Sequence, residues 1–327
     1  MRLRRVLMRD NPEVTSDPLS DILSLIDARS VITGGIRGGG SWAVRFPPPQ
    51  RIKLYVIAKG TGWMVWEGGE PPLRLQTGDV VLVAELKPFT LASDLEAVPF
   101  DAHAVFSHAE NGFVTLGKGD DFLMIGGHVA LDPVLGGLLL DALPPYVHVR
   151  GTSPEAVTVG ALLPQLIGEV QAARAGRGLA TALLTQLVFL QVLRSTLSAS
   201  APLAKGWLRA LADERIAPTL HLMHAEPSRV WSLEELAKAA SMSRSAFALR
   251  FKTAAGVAPL TYLTDWRMRL AERALREGDM PVSSLAYSLG YTSESAFSNA
   301  FKRIVGVAPK HYRNREYALE ERADTLA

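Results

Sequence analysis

The side chains of this chain that could do chemistry are not those of a catalyst. There is no cysteine, hence no disulfide, thiolate nucleophile or Cys-based metal site. His103, His108, His128 and His148 follow no metal-ligand spacing, and an isolated histidine is far more often a surface or hydrogen-bonded residue than a ligand. What recurs is basic and small polar residues near the C-terminus. Lys252 and Lys302 each follow a phenylalanine, about 50 positions apart, and Ser243 and Ser293 each open an apolar-patterned segment. Cationic side chains beside the first backbone N–H groups of a helix are phosphate-binding chemistry. Lys252, Lys302, Arg303, Lys310 and Arg313 are candidates for it, with ordinary solvated surface as the plain alternative.

The elements that must position these residues are duplicated. Phe247, Phe251, Lys252, Gly256 and Pro259 recur as Phe297, Phe301, Lys302, Gly306 and Pro309, and a self-match at a fixed period is a structural unit used twice. In the first copy Ser232 with Glu235 reads as a capping box. Leu233, Leu236, Ala237 and Ala240 form one apolar stripe, and Ser241 and Met242 make a turn. Ser243 caps a second helix that buries Phe247 and Phe251, one turn apart. Gly256 ends it and Pro259 stops any continuation. In the second copy a helix over 282–289 ends at Gly290, Tyr291 plugs the turn, and the helix from Ser293 buries Phe297 and Phe301. Two short helices around a tight turn are the helix-turn-helix unit, whose second helix enters the DNA major groove. Two helical hairpins of an ordinary α-helical domain are the bland alternative; the shared plugs, caps and Gly-x-x-Pro endings argue against it. Residues 260–276 have helical apolar spacing and would form a stiff spacer of roughly 25 Å. Two units on it could meet successive major-groove faces roughly 34 Å apart.

From about residue 217 to 315 this pattern resembles the AraC/XylS family of bacterial transcription regulators. The resemblance is densest from Ala286 to Arg313, and even the extra residue between Tyr291 and Phe297, compared with Met242 and Phe247, matches the family pattern. Base readers must face away from the buried phenylalanines. In the family, residues just after the first buried position of each recognition helix face the groove. The resemblance therefore implies Ala248 and Leu249 in copy one, with Arg244 and Ser245 a turn earlier. In copy two it implies Ser298 and Asn299, with Glu294 and Ser295 before them. Asn299 could pair bidentately with adenine and Glu294 could accept from cytosine. Copy one departs from the usual order of a polar residue followed by an apolar one: Leu249 precedes Arg250. Either Leu249 meets a thymine methyl, or the helix rotates to present Arg250. The DNA-contact set expected from sequence is thus Ser243, Arg244, Ser245, Ala248, Leu249, Arg250, Lys252, Ser293, Glu294, Ser295, Ser298, Asn299, Lys302 and Arg303.

The rest of the chain has a different texture. Its 327 residues suggest two domains, and 48% hydrophobic with 21% charged residues suffices for full cores. The net charge is only +2, but from residue 201 onward about 18 Lys and Arg face about 14 Asp and Glu, so the basic surplus lies on the duplicated half. Residues 1–16 lack the apolar core of a signal peptide and read as a flexible arm. Asp17 or Ser16 caps a short helix, 17–26. Residues 31–148 are rich in Gly, Pro and β-branched or aromatic residues, with strand patterns at 53–57, 62–66, 80–83 and 122–125. The stretch from Gly60 through Gly78 and Asp79 to Phe89 is similar to a cupin barrel. Gly126, Gly127, His128, Asp132, Pro133, Leu143, Pro144, Val149 and Arg150 further resemble the cupin-type sensor domains of one branch of AraC-type regulators. Catalytic cupins hold a divalent metal through imidazoles and a carboxylate, but here 60–78 has no histidine and the later His slot is Phe89. The expectation is no metal, no catalytic residue and no cofactor. A barrel of this size can hold a small molecule. Trp42, Tyr55, Trp63, Trp66 and Phe89 are its candidate lining, with core packing as the alternative for at least half of them; Arg37 and Arg45 could meet an anionic ligand.

Residues 154–174 and 179–197 read as helices around Gly176 and Gly178. The apolar stretch 179–193 is broken by Thr181, Thr185, Gln186 and Gln191 and is too short and polar to span a bilayer. Its Leu183, Leu187, Leu190 and Leu197 form either a face docked on the same domain or a dimer seam.

The expected fold class is α+β: an arm over 1–16, a cupin-like β-barrel sensor over 17–151, a helical dimerisation segment and linker over 152–200, and an all-α double helix-turn-helix domain over 201–327. The expected function is a cytoplasmic, non-enzymatic, sequence-specific regulator controlled by a small-molecule effector. Its expected partners are double-stranded DNA and a second copy, with RNA polymerase a candidate and no membrane. The competing readings are a cupin-type metalloenzyme with an accessory DNA-binding domain, and an effector-independent DNA-binding dimer.

Overall fold

The structure is a computed structural model and describes residues 17–314 except 86, 155, 173, 199–202 and 279. The expected arm, 1–16, lies outside the described residues. The described residues gather into two compact units, one of 28–132 with 139–198 and 203, the other of 204–314 with 17–27 and 133–138.

The first unit is built from β1 (Arg29–Gly39), β2 (Ala43–Phe46), β3 (Ile52–Lys59), β4 (Thr61–Trp66), β5 (Leu73–Gln76), β6 (Val80–Val83), β7 (Phe89–Ala92), β8 (Phe100–Asp101), β9 (Phe113–Gly117), β10 (Phe122–Ala130) and β11 (Tyr146–Val149). They form a six-stranded sheet in the order β11-β6-β3-β10-β1-β9 and a five-stranded sheet in the order β5-β4-β7-β2-β8. Alternate residues of each strand turn to one face, so Tyr55 and Ile57 of β3, Met64 and Trp66 of β4 and Phe89 and Leu91 of β7 meet in a single core. The Gly78–Asp79 turn is held for a clear reason. Gly78 sits at φ +90, where a side chain would be strained. Asp79 then accepts from His148 Nε2 at 2.8 Å, from the Gly151 amide at 2.9 Å and from the Gln76 amide at 3.1 Å. Burial pushes the Asp79 carboxyl up, but these bonds together hold it below its ordinary value.

After α1 (Pro18–Leu25), α2 (Ala102–Phe106) and α3 (Gly137–Leu140), the long helices are α4 (Ala156–Gln171) and α5 (Arg177–Ser198). Both pack on the barrel strands, α5 on β1, β6 and β11 and α4 on β3. The α5 face turned inward is Val188, Phe189, Val192 and Leu193 with Thr185 and Thr196. Of the leucine face expected to be either docked on the same domain or a dimer seam, Leu183 and Leu187 are exposed, as is Leu179, so these do not dock on the barrel. Gln186, one of the polar interruptions, pairs with backbone through both amide atoms, donating to Ala28 O at 3.0 Å and accepting from Ser30 N at 2.9 Å. By length and composition α5 is apolar enough to cross a membrane, since the helix runs 22 residues rather than stopping at 193.

The second unit continues with α6 (Trp207–Ala212), α7 (Ala217–Ala225), α8 (Leu233–Ala239), α9 (Arg244–Ala255), α10 (Pro259–Glu277), α11 (Val282–Ser288) and α12 (Glu294–Val305); residues 309–314 are also helical. Its other member is α1, capped by Asp17 accepting from Ser20 N at 3.0 Å. Sequence pattern placed this helix at the head of the sensor, yet Leu19, Ile22 and Leu25 are buried and α1 packs against α6, α7 and α10. An apolar stripe specifies that a face is buried, not what buries it.

Candidate DNA-binding interface

The two predicted readers are α8–α9 and α11–α12. Their local devices are those legible in sequence. Ser232 N donates to Glu235 Oε2 at 2.8 Å while Ser232 Oγ accepts from Glu235 N at 3.1 Å, a complete capping box. Ser243 and Ser293 cap α9 and α12 by accepting from Ala246 N and Ala296 N. Both helices end on left-handed glycines, Gly256 at φ 81 and Gly306 at φ 93. Phe247, Phe251, Phe297 and Phe301 are wholly buried. The Phe247–Phe251 and Phe297–Phe301 ring pairs have the same centroid separation, 5.7 Å.

With 3.6 residues per turn, a residue two places after the first phenylalanine lies roughly 200° around the helix and points away from the core. That position is Leu249 in copy one and Asn299 in copy two, and both are exposed. Arg244, Ser245, Lys252, Ser295, Lys302 and Arg303 are exposed as well, while Ala248, Ser293, Glu294 and Ser298 are partly covered. Glu294 Oε1 lies 3.9 Å from Lys310 Nζ. Arg313 is turned inward, donating to Met280 O at 2.5 Å. Arg250 is engaged elsewhere: its Nε meets both oxygens of Asp213, at 3.0 and 2.8 Å.

The connector α10 is 19 residues long, about 28 Å at helical rise. Arg267 on it links the copies, a role that sequence reasoning missed. Its guanidinium donates to Pro227 O at 2.6 Å and to Arg229 O at 2.8 Å, in the loop before copy one, and lies 5.8 Å from the Tyr291 ring centroid in copy two. Gly290, at φ +83, passes so close to Ser228 that a Cβ would come within 2.1 Å of its carbonyl oxygen. Copy one is also braced from behind. His224 is buried with Nδ1 3.3 Å from the Asp21 carboxylate on α1, Nε2 2.8 Å from Tyr262 Oη, and its ring stacked 4.0 Å from Trp266. No local pattern marked these partners, because each contact joins distant segments.

In the barrel, Trp42, Tyr55, Trp66 and Phe89 lie together in the buried core. Trp63 is on the other side of β4, partly exposed, with the Arg74 guanidinium 5.3 Å from its ring centroid. Trp66 stacks on Tyr146 at 4.5 Å, and its buried Nε1 has no hydrogen-bond partner among the described residues. Arg45 pairs with Glu67 at 2.5 Å, and Arg37 lies over Phe113 at 5.6 Å. His148 belongs to the Asp79 turn and His128 lies 3.0 Å from Arg51. Among the described residues no three His, Asp or Glu side chains converge as a cation site would need.

Comparison with known proteins places the chain in a family. Residues 17–198 match the Cupin family and residues 236–315 match a helix-turn-helix domain family. An AraC-like transcription regulator of Streptomyces antibioticus is 41% identical over 297 residues, covering 91% of this chain and 98% of the relative. The chain belongs to the AraC family of transcription regulators. The HTH-type transcriptional regulator AlkR of Acinetobacter baylyi is 30% identical over 289 residues, covering 86% of this chain and 93% of AlkR. Among solved structures, the DNA-binding domain of AdpA in complex with a target DNA is 31% identical over 32% of this chain and 96% of that one, with TM-score 0.31. In this chain a β-rich cupin region precedes the helical readers. This AraC-family chain is a DNA-binding transcription regulator, and its partner is double-stranded DNA.

Proposed function

We propose that the chain is a non-enzymatic, cytoplasmic, sequence-specific regulator whose DNA affinity answers to a small molecule held in the barrel. The observation that carries the DNA-reading half is the pair of outward faces around Leu249 and Asn299, mounted on one helix of about 28 Å and tied together by Arg267. On this reading Asn299, Ser298, Ser295 and Glu294 meet one half-site and Leu249, Ala248, Ser245 and Arg244 the other. Ser243, Lys252, Ser293, Lys302 and Arg303 serve the phosphates. The barrel half is supported by Trp66 Nε1, a buried donor left without an acceptor, a costly state that a ligand oxygen among Trp42, Tyr55 and Phe89 would relieve. The exposed Leu179, Leu183 and Leu187, one turn apart on α5, suit a seam with a second copy. RNA polymerase would be met at the promoter.

Footprinting on the DNA upstream of the gene tests the reading. The expected result is two protected major-groove segments about one turn apart, roughly 34 Å, resistant to scrambled competitor. Only diffuse protection that disappears with salt would overturn sequence-specific reading. Effectors that bind without changing the footprint or transcription would overturn the sensor.

A further inference from the structure

The two readers place chemically opposite groups at one equivalent position, and the structure decides between the two roles open to copy one. Arg250 could serve the groove only by leaving Asp213. That carboxylate is well seated: it closes α6, its Oδ1 also accepts from Arg215 N at 3.1 Å, and its side chain is only 17% exposed. Two oxygens on one guanidinium nitrogen make a charge-assisted contact. Arg250 is therefore spent on holding α9 to the α6–α7 corner. What remains on the outward face of α9 is Ser245, Ala246, Lys252 and Thr253 around Leu249, which is 70% exposed. A single exposed leucine is unremarkable on most surfaces. Here it occupies the position of Asn299 on the companion helix, opposite the phenylalanines, and where Asn299 carries an amide its own side chain offers only apolar contact.

In the major groove the apolar feature a base presents is the C5-methyl of thymine. We propose that Leu249 is a specificity-determining residue that reads a pyrimidine C5-methyl, so that copy one demands thymine where copy two, through Asn299, demands adenine. This rests on the DNA-binding reading and deepens it. Because 5-methylcytosine carries its methyl at the same place, copy one accepts it in place of thymine better than it accepts cytosine. The protein would then sense methylation of its operator at that base.

The test uses the full chain and duplexes that it selects from a randomised pool. Each thymine of the selected duplex is replaced in turn by deoxyuridine, which removes only the methyl. One replacement should weaken binding roughly fourfold, the worth of one buried methyl group. At that pair, cytosine should bind more weakly still and 5-methylcytosine should recover about the same factor. Leu249→Ala should bind the thymine and deoxyuridine duplexes equally. Asp213→Ala, which frees Arg250, should shift selection in the same half-site towards guanine. Binding unchanged by deoxyuridine at every thymine overturns the proposal while leaving sequence-specific binding intact, as does a Leu249→Ala protein that still discriminates. A pool that yields no preferred sequence overturns the DNA-reading premise instead.

Discussion

The two helix-turn-helix copies share a scaffold and differ in what stands behind it. Copy one is built into a larger core. Phe247 and Phe251 pack with Ile216, Leu220, Met223, Trp231 and Leu263, α1 closes over α7 and α10, and Asp213 anchors Arg250. Among the described residues copy two has fewer supports. Its first helix begins at Pro281 with no side-chain cap, and its phenylalanines meet Tyr291 and Tyr312. Arg267 and Arg313 hold its edges. A repeated motif thus specifies the reader's shape, while its surroundings decide how firmly it is held and which side chains remain free to meet DNA.

The comparison breaks or sharpens most readily at the phenylalanines. Phe247→Ala and Phe297→Ala should each cost about 3–5 kcal/mol, measured by urea unfolding of the full chain. Hydrogen exchange should separate them: Phe247→Ala should lose protection through α1, α7 and α9, Phe297→Ala through α11 and α12 only. The same pattern of loss in both variants would remove the contrast between embedded and lightly supported copies.

A smaller effect is expected at the readers. Asn299→Ala should lose about 1–3 kcal/mol on cognate DNA and relax the preference for adenine at one position. Lys302→Ala should weaken cognate and scrambled duplexes alike and lower the salt slope by about one. Equal losses on both duplexes for Asn299→Ala would show that copy two holds the backbone without reading bases.

The smallest effect is a pH dependence confined to copy one. Burial lowers the His224 pKa from its ordinary value, by more than the nearby Asp21 carboxylate raises it. A histidine whose folded pKa is depressed binds its proton more readily when unfolded. Its contribution is therefore complete above about pH 6.5 and is lost as pH falls from there towards the lower folded value. Protection of α1 and α7 should decline in that window while α12 is unaffected, and His224→Gln should flatten the difference. A decline of equal size in α12 would assign the titration to some other group.

Much of this molecule is legible without coordinates, and the reason is range. Ser232 with Glu235, Ser243, Ser293, Gly256, Gly306 and the paired phenylalanines act within one or two helical turns, so their types and spacing determine caps, ends and buried faces wherever the segment docks. The Gly78–Asp79 turn and the alternating strands of the barrel are local in the same way. Three matters were decided only by tertiary structure. The α1 stripe belongs to the helical unit, α5 buries Val188, Phe189, Val192 and Leu193 while Leu183 and Leu187 stay exposed, and Arg250 is withdrawn by Asp213, 37 residues away. In each case the sequence determined that a group could be buried or paired. Which partner it found depended on chain closure over tens to hundreds of residues, and no local pattern carries that information.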